Sequence, residues 1–296
     1  MIGRACVAAI LSRGDEVVSL VRDTARARGA LGESVELHSW PDPKQAPPSP
    51  AALEHADAVL HLLGEPIAQR WTGKAKREIR DSRVLGTRSL VTGLEAISEE
   101  DRPRALVSQS AVGYYGPRGD EPVDESATPG TDFLAEVVAD WEHEASRSVP
   151  GIRVALTRTG VVLSPQGGAL AKMLPPFRMG VGGPVAGGRQ YVPWIHLDDV
   201  VGSMLLCLGD DRAAGPVNLA APAPVTNGEL SKALGRVLNR PAVLPVPGLA
   251  LRALYGEMAT IVLTGQRVIP ARLQQLGYHF GYTEIEPALR NVLGRE

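Results

Sequence analysis

Short apolar runs alternate with longer amphipathic stretches along most of the chain. Ile2, Cys6, Val7, Ile10 and Leu11 recur at helical spacing, and Arg13-Gly14 ends that helix with a basic last turn and a glycine. Residues 16–21 form a short β-branched run suited to a buried strand, and residues 35–38 a weaker one after a loop. A proline-rich surface loop at 41–50 leads to a third buried strand at 58–63, which ends at Gly64. Residues 72–97 predict a long, charged amphipathic helix, and 105–108 another strand. Residues 132–147 predict a helix with Phe133, Leu134, Val137, Val138, Trp141 and Ala145 on one side, before a strand at 153–157. Strands and helices alternating at these lengths predict an α/β fold, with a parallel sheet covered on both faces.

The pattern changes after residue 163. Residues 164–194 are rich in Gly and Pro with few periodic apolar positions, which predicts a long functional excursion. A helix at 197–208, a short strand at 217–219 and a helix opened by Thr226 and Glu229 at capping-box spacing return to the core. Residues 241–247 read as a linker or strand, and two or three short helices follow. The expected division is therefore 1–163 nucleotide-binding, 164–194 excursion, 195–240 return to the core, and 241–296 a smaller substrate domain over the strand ends.

Composition removes several functions. Lys plus Arg number 31 against 33 Asp plus Glu, a net charge of −2, so nucleic acid is not an expected partner. The apolar stretches fall short of the roughly 20 residues a bilayer needs, and no signal-peptide pattern opens the chain. Cys6 and Cys207 lie far apart in apolar helical patterns and read as two buried free thiols, while the six histidines lack zinc-site spacing. A reduced, cytoplasmic protein without membrane contact is expected.

A doubly wound nucleotide-binding fold starts with a buried strand, a glycine-rich turn and a helix whose N-terminus holds a pyrophosphate. Here the helix comes first, and Met1-Ile2-Gly3 stands where the end of that turn belongs. The absent strand is central in the usual order, so a gap of about two strand spacings, ~10 Å, is expected in the sheet. A natural protein that starts upstream is the expectation, and a divergent fold with another strand in the gap is the alternative.

Residues further along carry a resemblance. They are Gly3-Arg4, Gly64-Glu-Pro-Ile-Ala68 with Arg70-Trp-Thr72, Asp81-Ser-Arg-Val-Leu-Gly-Thr87 and Ser108-Gln-Ser-Ala-Val-Gly-Tyr-Tyr-Gly116. Asp132-Phe-Leu-Ala-Glu136 with Trp141-Glu142, Pro193-Trp-Ile-His-Leu-Asp-Asp-Val200 and the segment 270–293 extend it. Together they resemble the extended and atypical short-chain dehydrogenase/reductases of the NAD-dependent epimerase/dehydratase family, in the subgroup with its own C-terminal domain. The resemblance implies a Rossmann-like fold and a nicotinamide cofactor, and it leaves the substrate open.

Arg22 follows the second strand of such a fold, where a guanidinium suits the 2′-phosphate of NADP and NAD-preferring members carry an acid. A solvated surface arginine is the blander reading. The resemblance also places Gly3, Leu62, Gly64, Glu65, Ser108, Arg158 and Gly160 along the cofactor. Ser110 matches the catalytic serine position. Where the YxxxK pair would open a helix, however, the chain reads Phe133-Leu-Ala-Glu-Val137, without phenol or ammonium. Tyr114 or Tyr115 is a candidate replacement for the phenol, with ordinary packing as the rival reading. Arg83 is a candidate for the missing positive charge, for binding an anionic substrate, or for pairing with a surface carboxylate. His196, Asp198 and Asp199 lack a nucleophile elbow, so Asp198 or Asp199 is expected to cap the next helix. Lys172, Met173, Phe177 and Arg178 are candidate cleft residues.

Two functions remain. One is an NADP-dependent oxidoreductase or epimerase acting on a small molecule, expected as a monomer. The other is a non-catalytic NADP-binding sensor or scaffold that lost the proton relay.

Overall fold

Helices and parallel strands alternate from the first residues of the computed structural model, which describes residues 1–147 and 149–295. In order come α1 (Ile2–Ser12), β1 (Val18–Val21), α2 (Thr24–Leu31), β2 (Glu36–Ser39), β3 (Ala58–His61) and α3 (Gly73–Glu95). They are followed by β4 (Ala105–Ala111), β5 (Pro122–Val123), α4 (Phe133–Ser146) and β6 (Arg153–Thr159). Side-chain caps set the helix starts: Thr72 accepts from the Ala75 N–H, and Asp132 from those of Leu134 and Ala135. The hydrophobic pattern predicts a loop over 22–34; the structure forms α2 there because Asp23 accepts from the Arg26 N–H. That helix buries no residue, so hydrophobic periodicity carries no sign of it.

Most of these strands fall in two parallel sheets. β1 pairs with β2, and the larger sheet runs β10-β6-β4-β3, its last member being β10 (Gly215–Leu219). Among the described residues β1 and β3 do not pair with each other, and each has a neighbour on one side only.

The second half holds β7 (Val161–Leu163), α5 (Gly168–Arg178), β8 (Tyr191–Val192), β9 (Trp194–His196) and α6 (Leu197–Gly209), then β10, β11 (Val225–Thr226) and α7 (Asn227–Leu238). Last come α8 (Gly248–Tyr255), α9 (Thr260–Leu263), β12 (Arg267–Val268), α10 (Ala271–Gln275) and α11 (Ile285–Val292). Short two-stranded pairs (β7 with β9, β5 with β12, and antiparallel β8 with β11) lie outside the two sheets. The excursion is less irregular than its composition suggests. α5 forms with Pro175 and Pro176 inside it because Leu170, Leu174 and Phe177, spaced at four and three residues, are buried together. Residues 241–247 form no strand; Val246 makes a single bridge to Val185.

The expected boundary at residue 241 is crossed by two cores. Leu273 and Leu276 lie in the same cluster as Cys6, Val107, Met204, Cys207 and Leu219. Ala288 and Leu289 of α11 pack with Leu170, Trp194, Leu230 and Leu234. Both cysteines are buried free thiols, as the sequence implies. No helix among the described residues is long and apolar enough to cross a membrane.

The α6 cap corrects the sequence expectation. His196, not Asp198 or Asp199, is the N-cap, its Nδ1 accepting from the Asp198 N–H at 3.1 Å. Asp199 is buried, and a buried carboxylate requires donors. It finds them in the Tyr278 hydroxyl and the N–H groups of Gly281 and Tyr282, docking the C-terminal chain on α6.

Candidate active site

β6 opens on the half-buried Arg153 and carries a second arginine, Arg158, in its buried stretch, where it is 3% exposed. A buried guanidinium stays charged and needs acceptors. Glu142 of α4 supplies both oxygens, at 2.8 Å each to Nε and Nη2. Burial pushes the guanidinium pKa down, and the Glu142 hydrogen bonds and charge more than offset that, for a net rise. Ser110 donates to the same Glu142 oxygen at 2.5 Å. The Tyr115 hydroxyl accepts from Arg158 at 3.0 Å and donates to Asn218 Oδ1 at 2.7 Å. Burial raises the Tyr115 phenol to about 12, against the opposing pull of Arg158. The Tyr114 ring covers the guanidinium at 3.5 Å, and its hydroxyl has no hydrogen bond among the described residues.

Ser110, Tyr114, Tyr115 and Arg158, separate candidates in the sequence, therefore come together. The hydroxyls of Ser110 and Tyr115 are turned inward and engaged. Glu142 and Asn218 complete the cluster, and neither is a candidate on sequence grounds. Arg158 was the available signal, since a charge inside a buried strand calls for a buried carboxylate.

The cofactor candidates lie at the start of α1, within β4 and β6, and just beyond β1, β3 and β6. A Cβ on Gly3 would lie 3.5 Å from Leu62, which brings the start of α1 against the end of β3. Arg22 is exposed beside Asp23, whose carboxylate is engaged as the α2 cap. The Arg83 guanidinium sits where a Cβ on Gly64 would approach within 3.1 Å, and it donates to the carbonyls of Glu65 and Ile79. It stacks over Trp141, and burial lowers its pKa to about 10, with Glu65 opposing. The Glu65 N–H is held by the Ser82 hydroxyl. Ser108 is buried in β4. Gly160 is required by packing: a Cβ there would fall 2.1 Å from the Pro193 carbonyl oxygen.

A third group lies where α3 and α4 begin. Trp71 meets Phe133 edge-on at 5.2 Å, and Lys76 Nζ lies 4.7 Å from the centre of the Phe133 ring. Arg70 donates to the Ala253 and Leu254 carbonyls, and Lys172 to that of Ala68, so the 64–72 loop is strapped to α5 and α8. Met173 is half-buried and Phe177 buried in the α5 core, while Arg178 is exposed. Among the described residues no group of three or more His, Cys, Asp or Glu is placed to hold a metal.

A family profile described as the NAD dependent epimerase/dehydratase family matches residues 1–220. The chain belongs to that family. A second profile, a domain of unknown function (DUF1731), matches residues 246–292. An epimerase family protein of Mycobacterium bovis is 43% identical over 294 residues, covering 98% of this chain and 93% of its own length. The mouse epimerase family protein SDR39U1 is 36% identical over 298 residues, 99% of this chain and 96% of its own. The crystal structure of human SDR39U1 (isoform 2) with NADPH matches with a TM-score of 0.88 at 31% identity, over 100% of this chain and 97% of that one. The Rossmann-like fold and the family expected from the sequence both stand.

Proposed function

We propose that this chain binds NADPH and, as a monomer in a reducing, cytoplasm-like compartment, reduces a small carbonyl compound. The observation that carries the reading is the end of β1, where Arg22 is exposed and Asp23 is engaged as the α2 cap. An exposed guanidinium whose neighbouring acid is held as a helix cap fits a 2′-phosphate. The NADPH in the human SDR39U1 crystals supports the same choice. Gly3, Leu62, Gly64 and Glu65 would line the dinucleotide, with the end of β4 from Ser108, the turn to Gly116, and Gly160 beyond it. When bound, the cofactor supplies hydride. The chain's own part is to orient the substrate and to deliver a proton.

Ser110 and Tyr115 hold Arg158 and Glu142 in place. The α3–α4 ion pairs Arg80–Asp140 and Arg88–Glu144 are satisfied within one chain, which favours a monomer.

The test is a thermal-shift titration with NADPH and NADH, followed by NADPH oxidation with a panel of aldehydes, ketones and quinones. NADPH is expected to bind about tenfold or more tighter than NADH, and Arg22→Glu to abolish that preference. Equal affinities in wild type would remove the Arg22 assignment. The inward engagement of the Ser110 and Tyr115 hydroxyls favours one second reading, an NADPH-binding sensor. Saturable binding with no oxidation across the panel would select it.

A further inference from the structure

One side chain of the C-terminal segment of unknown function reaches the start of α3. Glu257, just after α8, holds the Lys76 ammonium with both carboxylate oxygens, at 2.6 and 2.7 Å. Lys76 stands in the first turn of α3, 4.7 Å from the centre of the Phe133 ring. Phe133 opens α4 at the position where YxxxK enzymes carry their tyrosine, and Val137 stands at their lysine. A cation from a different helix thus lies against the ring that lacks the hydroxyl.

Stability does not account for this pair. Partly exposed ion pairs contribute about 0–1 kcal/mol. Arg70 already ties the same two segments through the Ala253 and Leu254 carbonyls. The Lys76 and Glu257 side chains are 30% and 50% exposed, so the ammonium is reachable. It has three donors, and the carboxylate occupies at most two.

We propose that Lys76, positioned by Glu257, is the catalytic cation of this site. It takes the oxygen of an aldehyde or ketone and protonates it in place of the absent tyrosine. The proposal rests on the NADPH-dependent reading above. Hydride from the reduced nicotinamide forms the new C–H bond, and the carbonyl π pair moves to oxygen. An Nζ proton joins that oxygen, giving the alcohol and a neutral amine, which regains its proton from solvent through Glu257. The C-terminal domain therefore completes the active site by setting the Lys76 side chain.

The test uses the full chain, with Lys76→Met, Lys76→Ala, Glu257→Gln and Tyr114→Phe variants. Acetate, a stand-in for the developing oxyanion, is titrated calorimetrically with and without NADP+. Lys76→Met is expected to weaken acetate about tenfold while NADPH affinity stays within about twofold, and Glu257→Gln to strengthen acetate by freeing the ammonium. On a carbonyl compound that wild type reduces, Lys76→Ala is expected to lose about 10²–10⁴ in kcat with little change in KM. Added ethylammonium should restore part of that loss, a rescue that a purely structural tie would not show. Acetate affinity unchanged in Lys76→Met, or the kcat loss appearing in Tyr114→Phe instead, would overturn the assignment. Absence of NADPH binding would overturn the cofactor reading, and the titration without NADP+ would still report on Lys76.

Discussion

Arg158 shows what one buried charge demands of its neighbours. Its guanidinium is matched by Glu142 through two hydrogen bonds, and Ser110 and Tyr115 add to them. Removing the carboxylate leaves a buried cation unpaired, so Glu142→Ala is expected to destabilise by about 3–5 kcal/mol in urea unfolding. Ser110→Ala should cost only about 1 kcal/mol, since Glu142 keeps both Arg158 bonds. A loss from Ser110→Ala as large as that from Glu142→Ala would mean that the serine, not the ion pair, anchors the cluster. The sequence groups Ser110 with the two tyrosines, because they share one short segment. It does not yield Glu142, which sits beside Trp141 on a helix whose apolar stripe looks self-sufficient. Nor does it yield Asn218, which comes from a strand 103 residues beyond Tyr115.

Elements are legible where burial and period agree. β3, β4, β6, α3 and α4 are all expected, because a buried strand or an amphipathic helix writes its own repeat into the chain. α2 and α5 are not, and for opposite reasons. α2 has no buried face to reveal it, and α5 hides a good apolar stripe behind two prolines. The cap of α6 falls to a different side chain than expected because Asp outranks His as a general N-cap, whereas here tertiary structure decides. His196 also stacks on Tyr282 at 3.8 Å, and its Nε2 is 3.1 Å from Asn291 Oδ1. His196→Ala should therefore act on two elements at once. Faster amide exchange is expected in the first turn of α6 and in α11, with α3 and α4 unchanged. Exchange confined to α6 would show that the ring acts as a cap alone and does not hold α11.

Across the whole molecule, the shared cores make the C-terminal segment part of the fold, and they also couple its stability to pH. His61 of β3 is fully enclosed, with its Nε2 2.8 Å from Thr87 Oγ1. Burial lowers its pKa to about 4 from the ordinary 6.5. His196 is lowered too, chiefly by burial, against the opposing pull of Asp198. In both cases the unfolded chain takes up its proton at a higher pH than the folded chain does. Folding stability therefore holds above pH 6.5 and is lost as pH falls, for His61 until about pH 4. A tenfold difference in proton affinity between the folded and unfolded chain corresponds to about 1.4 kcal/mol, so His61 alone should remove about 2 kcal/mol between pH 7.5 and pH 5. His61→Gln keeps a polar partner for Thr87 and cannot titrate. Urea unfolding of wild type and this variant at the two pH values isolates the contribution. The wild type should lose about 2 kcal/mol more than the variant over that interval. Parallel losses in both would mean that the enclosed imidazole does not set the acid limit, and would shift that role to His196 and the C-terminal chain stacked on it.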